Sequence, residues 1–583
     1  MGSNNVHDFS FWSWRVWPTD RESLPQKWLP YHVKIDPGNT VTRAEHLEGG
    51  SRKVASGSLS RLATWGDILP IMTETLMLSM IVLVGTFVPD ALQAQSCEGL
   101  SKLVSPTVTI TLANTIGRGR FTPPARTTTP ADLPAFCRVS ATLKPTPDSD
   151  ISAEVWLPIA DWNGKFLAVG SGGWGGSIAY RDMADALRRG YATGATDDGH
   201  VGPSASFIVG HPEKFIDFAY RAEHEMTVEA KTLIKAFYRR DARYSYWYGC
   251  SGGGREGLLQ AYRYPDEFDG IIAGDPANVR RNAWALWLAV QAFKDPAAYI
   301  PPDKYPMIHR AVLDACDAND GLKDGLIEDP EGCHIDFGEL QCKAADGPDC
   351  LTPRQVQTAQ TIISPATTRT GKVLFPRLEP GTELRWARLV GGPRPADLFL
   401  DQFRYVVYQD SNWDWRTFDL ERDSAKADAI DKDIDDLDPH LASFAKHGGK
   451  LLIYHGWADQ QVAPGSSIEF YQSVLNLSGN PEQSSNWIRL FMVPGMGHCS
   501  GGEGPDTFDK ISLIEQEREG NDKRYLPETA RPPGRPERDR SLPCHGRSYL
   551  CYVPSRYGGR RHQGGKNTGR RRPAPLCAAN PRR

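Results

Sequence analysis

The segment Gly249-Cys250-Ser251-Gly252-Gly253 fits G-x-S-x-G, the pattern of a serine nucleophile held on a sharp strand-to-helix turn. Such a turn is crowded, and small neighbours let the hydroxyl stand clear. A strand-like run, Ser245-Tyr-Trp-Tyr248, precedes it and a helical pattern from Arg255 to Tyr262 follows. A plain glycine turn would look similar. A phosphate cradle would too, but no G-K-[ST] follows. A hydroxyl nucleophile needs a base, and the base needs an orienting carboxylate. In α/β hydrolases these follow the serine in the order acid, then histidine. Asp459, in His455-Gly-Trp-Ala-Asp459, lies just past a strand ending at Tyr454, and His498, in Pro494-Gly-Met-Gly-His498, follows a strand over Trp487–Val493. One helix, Ser466–Leu475, fits between them. His455 competes for the role of base, and Cys250 for that of nucleophile; Ser251 holds the central position of the turn.

The oxyanion of acyl transfer needs two donors. The backbone N–H after the nucleophile, Gly252, is one. The second belongs on the loop after an earlier strand, here Gly170-Ser-Gly-Gly-Trp-Gly-Gly176, and Gly173 is the position chosen. Cys250 precedes Ser251 and Cys499 follows His498. If the serine and histidine are in hydrogen-bond contact, these cysteines are close enough to bridge, closing a loop of about 250 residues. A separate turn, Asp317-Ala-Asn-Asp320-Gly-Leu322-Lys-Asp324-Gly-Leu326, concentrates carboxylates suited to a hard cation such as Ca²⁺. Its spacing is not that of an EF-hand, and a solvated acidic turn is the alternative.

The elements that must position these groups follow from pattern and composition. The chain has 583 residues, 40% hydrophobic and 24% charged, with net charge −4. That is globular composition, and it gives no whole-molecule attraction to nucleic acid or an anionic membrane. Strand-like runs at Val108–Leu112, Val139–Leu143, Ile151–Leu157, Phe166–Val169, Ser245–Tyr248, Phe268–Ala273 and Lys450–Tyr454 alternate with helical patterns such as Met183–Gly190 and Glu223–Tyr238. The alternation predicts an α/β fold with a mostly parallel central sheet. Residues 95–277 and 441–520 read as its two parts. The stretch 278–440, rich in Cys, Pro, Trp and Tyr, is too long for a loop and reads as an inserted lid domain. Its aromatics Trp284, Trp287, Phe403, Tyr405, Trp413 and Trp415 serve either a core or an acyl pocket. Residues 1–94 form an N-terminal extension. The apolar run Leu76–Val88 followed by Ala91-Leu-Gln-Ala94 has the layout of a signal peptide over about 72–94, with a start at Met72 as one explanation of its internal position. Residues 521–583 are rich in Arg, Gly and Pro and predict disorder.

Cys250-Ser251, Asp459 and His498-Cys499, supported by Asp197-Asp-Gly-His200 and Asp217-Phe-Ala-Tyr-Arg-Ala-Glu-His224, resemble the tannase/feruloyl esterase family from about Cys97 to Asp522. The resemblance implies an α/β-hydrolase serine esterase, secreted or periplasmic, with Ser251, Asp459 and His498 as triad, a lid over the site and a Cys250–Cys499 bridge. It implies a structural Ca²⁺ held by the side chains of Asp317, Asp320 and Asp324 and the carbonyls of Leu322 and Leu326, with no organic cofactor. Cys316 with Cys333, Cys342 with Cys350, and Cys97 with Cys137 complete the expected bridges. The substrate class that the resemblance implies is an aromatic-acid ester, free or on a plant polymer. Feruloyl esters come first; gallate esters and terephthalate monoesters are alternatives. A non-catalytic binding protein on a hydrolase fold is the rival of a different class. No nucleic-acid partner is expected, and no membrane after processing. The tail departs from the family: Cys544, Cys551 and Cys577 lack its C-terminal pattern, as a shifted reading frame would produce.

Overall fold

A computed structural model describes residues 96–123, 132–278, 280–392, 394–430, 437–479 and 481–520. The expected signal segment, the rest of the 1–94 extension and the tail with its three cysteines lie outside the described residues.

Nine strands form one sheet: β1 (Val108–Ile116), β2 (Phe136–Leu143), β3 (Ile151–Pro158), β4 (Lys165–Val169), β5 (Ala192–Thr196), β6 (Tyr244–Cys250), β7 (Gly270–Gly274), β10 (Lys450–Gly456) and β11 (Ile488–Val493). Two short strands, β8 (Ala366–Thr367) and β9 (Val373–Phe375), make a separate ribbon. The order across the large sheet is β1-β2-β3-β5-β4-β6-β7-β10-β11. From β5 through β4, β6, β7 and β10 to β11 every pairing is parallel. The α/β reading therefore holds. The first three strands differ from the simple alternation, because β1, β2 and β3 form an antiparallel meander joined to β5 antiparallel. The link Lys144–Asp150 between β2 and β3 carries prolines and aspartates and is too short for a crossover helix, so the chain must turn straight back.

Helices cover both faces. On one, α3 (Ala222–Tyr238), α4 (Gly252–Arg263) and the helix Gly465–Ser478 bury Met226, Leu233, Leu258 and Ile468 against the strands. On the other, α1 (Tyr180–Arg188) and the helix Lys510–Glu519 bury Met183, Leu187 and Ile514. A short α2 (Pro212–Ile216) passes through a π-helical turn, Asp217–Arg221, into α3. Covered on both faces, the central strands β5 and β7 are buried along their whole length, which is why they read as continuous apolar or small runs.

Between Gly274 and Lys450 no described residue adds a strand to the large sheet. This insert begins with α5 (Arg280–Phe293) and has its own core around Trp284, Tyr305, Ile308, Phe337 and Trp386. Trp284 and Phe403 are fully buried, and Phe403 stacks on Trp413. These aromatics hold the insert together. Among the described residues no helix is long and apolar enough to cross a membrane.

Candidate active site

Strand β6 ends at Cys250 and α4 begins at Gly252, leaving Ser251 alone in the turn with φ 61° and ψ −118°. That backbone conformation is strained for a side-chain-bearing residue and holds the hydroxyl at the strand's end. The flanking glycines are required by space. A Cβ on Gly249 would lie 2.4 Å from the Gly253 carbonyl group, and one on Gly253 would lie 2.9 Å from the Ser171 carbonyl oxygen.

Ser251 Oγ lies 2.8 Å from His498 Nε2, and His498 Nδ1 lies 2.7 Å from Asp459 Oδ2. Strands β10 and β11 are parallel neighbours, so their C-terminal loops deliver acid and histidine to one point. Asp459 is sealed from solvent. Its Oδ1 accepts the N–H groups of Gln461 at 2.7 Å and Val462 at 3.0 Å. Burial alone would raise its pKa, but the charge of His498 and hydrogen bonds from both histidines hold it well below the ordinary carboxylate range.

His455 is not a free base. Its Nε2 lies 3.2 Å from Asp459 Oδ2, 3.1 Å from the Val462 carbonyl and 3.6 Å from Asp275 Oδ1. All three are acceptors, so this nitrogen carries a proton, and Nδ1 meets Ser467 Oγ at 2.8 Å. Burial lowers its pKa, but Asp275 and Asp459 more than offset that and leave it raised.

Asp275 was missed by the sequence reading. It follows the last residue of β7 and is fully buried. Its Oδ1 accepts the Gly456 N–H at 2.8 Å and its Oδ2 the Cys499 N–H at 2.9 Å. It thus ties the acid's loop to the histidine's loop. The signal was available, because an aspartate directly after a central strand of a parallel sheet occupies the same kind of position as Asp459.

Cys250 and Cys499 form a disulfide, as do Cys97 with Cys137, Cys316 with Cys333 and Cys342 with Cys350. A bonded Cys250 has no thiol to offer as nucleophile. The loop after β4 faces the turn: a Cβ on Gly252 would lie 3.3 Å from Gly173 N. Gly173 and Gly252 therefore sit side by side next to Ser251, where an oxyanion's donors must be. A cleft of about 410 Å³ opens over Ser251 and His498, with Gly173, Asp182, Tyr248 and Gln461 in its wall and Leu398 contributed by the insert. Burial raises the Asp182 pKa and pushes Tyr248 up to about 12. The insert aromatics singled out from sequence are not among the cleft's lining residues.

In the acidic turn, Asp317 Oδ1 accepts the N–H groups of Asp324 and Gly325, each at 3.1 Å. Asp320 Oδ2 is buried with no hydrogen-bond partner. Burial, then the charges of Asp317 and Asp320, raise the Asp324 pKa against the pull of its own N–H contacts. Leu326 is buried beside them and Leu322 is exposed.

The tannase and feruloyl esterase family profile matches residues 137–388 and 393–534. An uncharacterised esterase of Xanthomonas campestris is 37% identical over 471 residues, 75% of this chain and 81% of its own. The Aspergillus terreus protein named Probable feruloyl esterase B-2 is 35% identical over 71% of this chain and 81% of its own. Among solved structures, feruloyl esterase B from Aspergillus oryzae superposes with TM-score 0.68 at 31% identity, covering 73% of this chain and 90% of that one. Tannin acyl hydrolase from Aspergillus niger shares the fold, with TM-score 0.59 at 23% identity over 71% of this chain and 84% of that one. With sheet, turn and residue order agreeing, the chain belongs to the tannase and feruloyl esterase family of carboxylic ester hydrolases.

Proposed function

We propose that this chain is an extracytoplasmic serine esterase acting on hydroxycinnamoyl esters, with Ser251, His498 and Asp459 as its catalytic triad. The observation that carries the mechanism is the continuous contact from Ser251 Oγ through His498 to Asp459. Ser251 Oγ bonds to the ester carbonyl carbon while its proton passes to His498 Nε2. Asp459 keeps the His498 Nδ1–H directed at itself and stabilises the imidazolium. The N–H groups of Gly252 and Gly173 receive the oxyanion. Collapse breaks the C–O bond to the leaving alcohol, which takes the proton from His498. Water then adds to the acyl-enzyme with His498 as base, and the carboxylic acid leaves from Ser251. The insert acts as the lid, bringing Leu398 to the cleft.

The feruloyl reading is supported by relatives of that name at 35–38% identity. The tannase, at 23% identity, speaks for the fold alone. Methyl ferulate, methyl gallate and a terephthalate monoester separate the candidates: the ferulate ester is expected to give the highest kcat/KM. Ser251→Ala should lower kcat by about 10⁶ and abolish labelling by a fluorophosphonate probe. A folded parent protein that takes no label would favour a binding protein instead. Secretion accords with the four disulfides, which persist in oxidising compartments.

The acidic turn is suited to a structural Ca²⁺. The unpartnered Asp320 Oδ2 and the mutual repulsion felt by Asp324 are what a cation would relieve. Side chains of Asp317, Asp320 and Asp324 and carbonyls of Leu322 and Leu326 would hold it, and its chemistry there is to neutralise charge. Chelation is expected to lower Tm, and added Ca²⁺ to restore it; an unchanged Tm would dismiss the site.

A further inference from the structure

Behind the Gly170–Gly176 loop three carboxyl side chains meet: Asp198 after β5, Glu223 in the first turn of α3, and Glu256 on α4. One oxygen from each lies within 4.8 Å of the others, and all three residues are at most 2% exposed. Glu223 and Asp198 belong to two stretches singled out from sequence, and the triad uses neither. The cluster closes on Ser171. Ser171 N–H donates to Glu256 Oε2 at 3.0 Å. Ser171 Oγ lies 2.5 Å from Asp198 Oδ2 and 2.9 Å from Glu256 Oε1. A hydroxyl has one proton and cannot donate to both. One of the two acids must therefore supply a proton itself.

Glu223 stands between them with neither oxygen meeting a donor, and Asp198 Oδ1 likewise has none. The nearest cation is Arg255, whose guanidinium donates to the Ala219 carbonyl and lies 3.7 Å from Glu256. Asp197 adds a further negative charge beside Asp198, and burial pushes it up to about 6. His200, held low at about 4 by burial, adds no positive charge at neutral pH. Three ionised carboxylates against one arginine would leave both Glu223 oxygens and Asp198 Oδ1 buried without donors, at prohibitive desolvation cost.

We propose that Glu223 is a positioning residue, present as a neutral carboxylic acid that donates its one proton within the cluster, to Asp198 or Glu256, so that the cluster clamps Ser171 and fixes Gly172–Gly173 at the oxyanion position. The clamp reaches the site by short paths. The Ser171 carbonyl accepts the Gly253 N–H at 2.7 Å, linking it to the nucleophile's helix. A Cβ on Gly175 would lie 2.1 Å from Asp198 Oδ2, so the loop rests directly on the cluster. Burial, then the charges of Glu256 and Asp198, push the Glu223 pKa well above its ordinary value, in agreement with the geometry.

The proposal rests on the esterase reading, and the test separates the two. On methyl ferulate, Glu223→Ala should lower kcat by about 10² with KM changed by less than about threefold. The parent's kcat is expected to fall at alkaline pH as Glu223 ionises; Glu223→Gln, whose amide supplies N–H donors at every pH, should rescue most of the loss seen in Glu223→Ala and abolish that fall. Independently of activity, infrared spectra should contain a protonated-carboxyl band at neutral pH that Glu223→Gln removes. Should Glu223→Ala not fold, Ser171→Ala cuts the same link and should lower kcat with KM held. An inactive parent, or Ser251→Ala turning over normally, defeats the esterase reading while the infrared band still reports on the cluster. An active parent with Glu223→Ala at parental kcat overturns the clamp. So does Glu223→Gln as impaired as Glu223→Ala, the result expected if a cation held the cluster.

Discussion

Asp459 and Glu223 are both carboxyl side chains sealed from solvent within reach of the Ser251 turn, yet their surroundings drive them in opposite directions. Asp459 meets two backbone N–H groups and two histidines, and its pKa is held low. Glu223 meets two other carboxyls and no donor, and its pKa is raised. Burial is common to both and penalises charge in both. The donors decide which acid ionises. The base side of this site is thus built around an anion, and the oxyanion side rests on acids that keep their protons.

The contrast can be broken experimentally. The largest effect is expected from Asp459→Asn, which removes the anion while keeping the shape: kcat should fall by about 10⁴ with the fold intact, read by steady-state kinetics alongside circular dichroism. Next come the bridges. Replacing Cys250 and Cys499 together by Ala opens a 249-residue separation and should cost about 5 kcal/mol in urea unfolding. Opening the 17-residue separation of Cys316 and Cys333 should cost about 3 kcal/mol on the same chain-entropy scale. Equal losses would mean that native contacts, not loop closure, set the cost.

The smallest effect is the most diagnostic. A depressed carboxyl pKa contributes stability above the unfolded value of about 3.9, lost as pH falls through the folded value. A raised one contributes stability that is full below about 4.3 and is lost as pH rises through the folded value. Asp459→Asn should therefore cost stability at neutral pH, with the deficit shrinking in acid. Glu223→Gln should be more stable than the parent at alkaline pH, with the advantage vanishing towards pH 4. Denaturant midpoints across pH check both signs, and two curves of the same sign would erase the distinction.

The triad was legible in sequence because each member follows a strand of a recognisable kind: Ser251 after Tyr244–Cys250, Asp459 after β10, His498 after β11. Glycines too small to clash marked the turn, and the cysteines beside Ser251 and His498 marked the bridge. Asp275 obeyed the same strand-end rule but carried no neighbouring motif. The cluster beneath Ser171 was invisible for a different reason. Asp198, Glu223 and Glu256 come from three elements, and nothing in local spacing says that their side chains converge. The antiparallel start of the sheet was not legible in the strands themselves, because Val108–Leu112 and Ile151–Leu157 look alike whichever way they run; the short Lys144–Asp150 link was its one signal. The insert's aromatics sent a double signal, since Trp284 and Phe403 suit a pocket as well as the core that is the commoner place for such residues, and their burial decides for the core.

The bridge between Cys250 and Cys499 also governs how the molecule matures. The other three pairs are separated by 40, 17 and 8 residues, so each can close soon after its second cysteine leaves the ribosome. Cys250 must wait through the emergence of four other cysteines before its partner exists. Until then the chain carries an open thiol beside an unassembled nucleophile, and Ser251 has no base. Hydrolytic competence thus waits for the His498-Cys499 segment, and the bridge that ties base to nucleophile can close only once that segment, just past β11, is present.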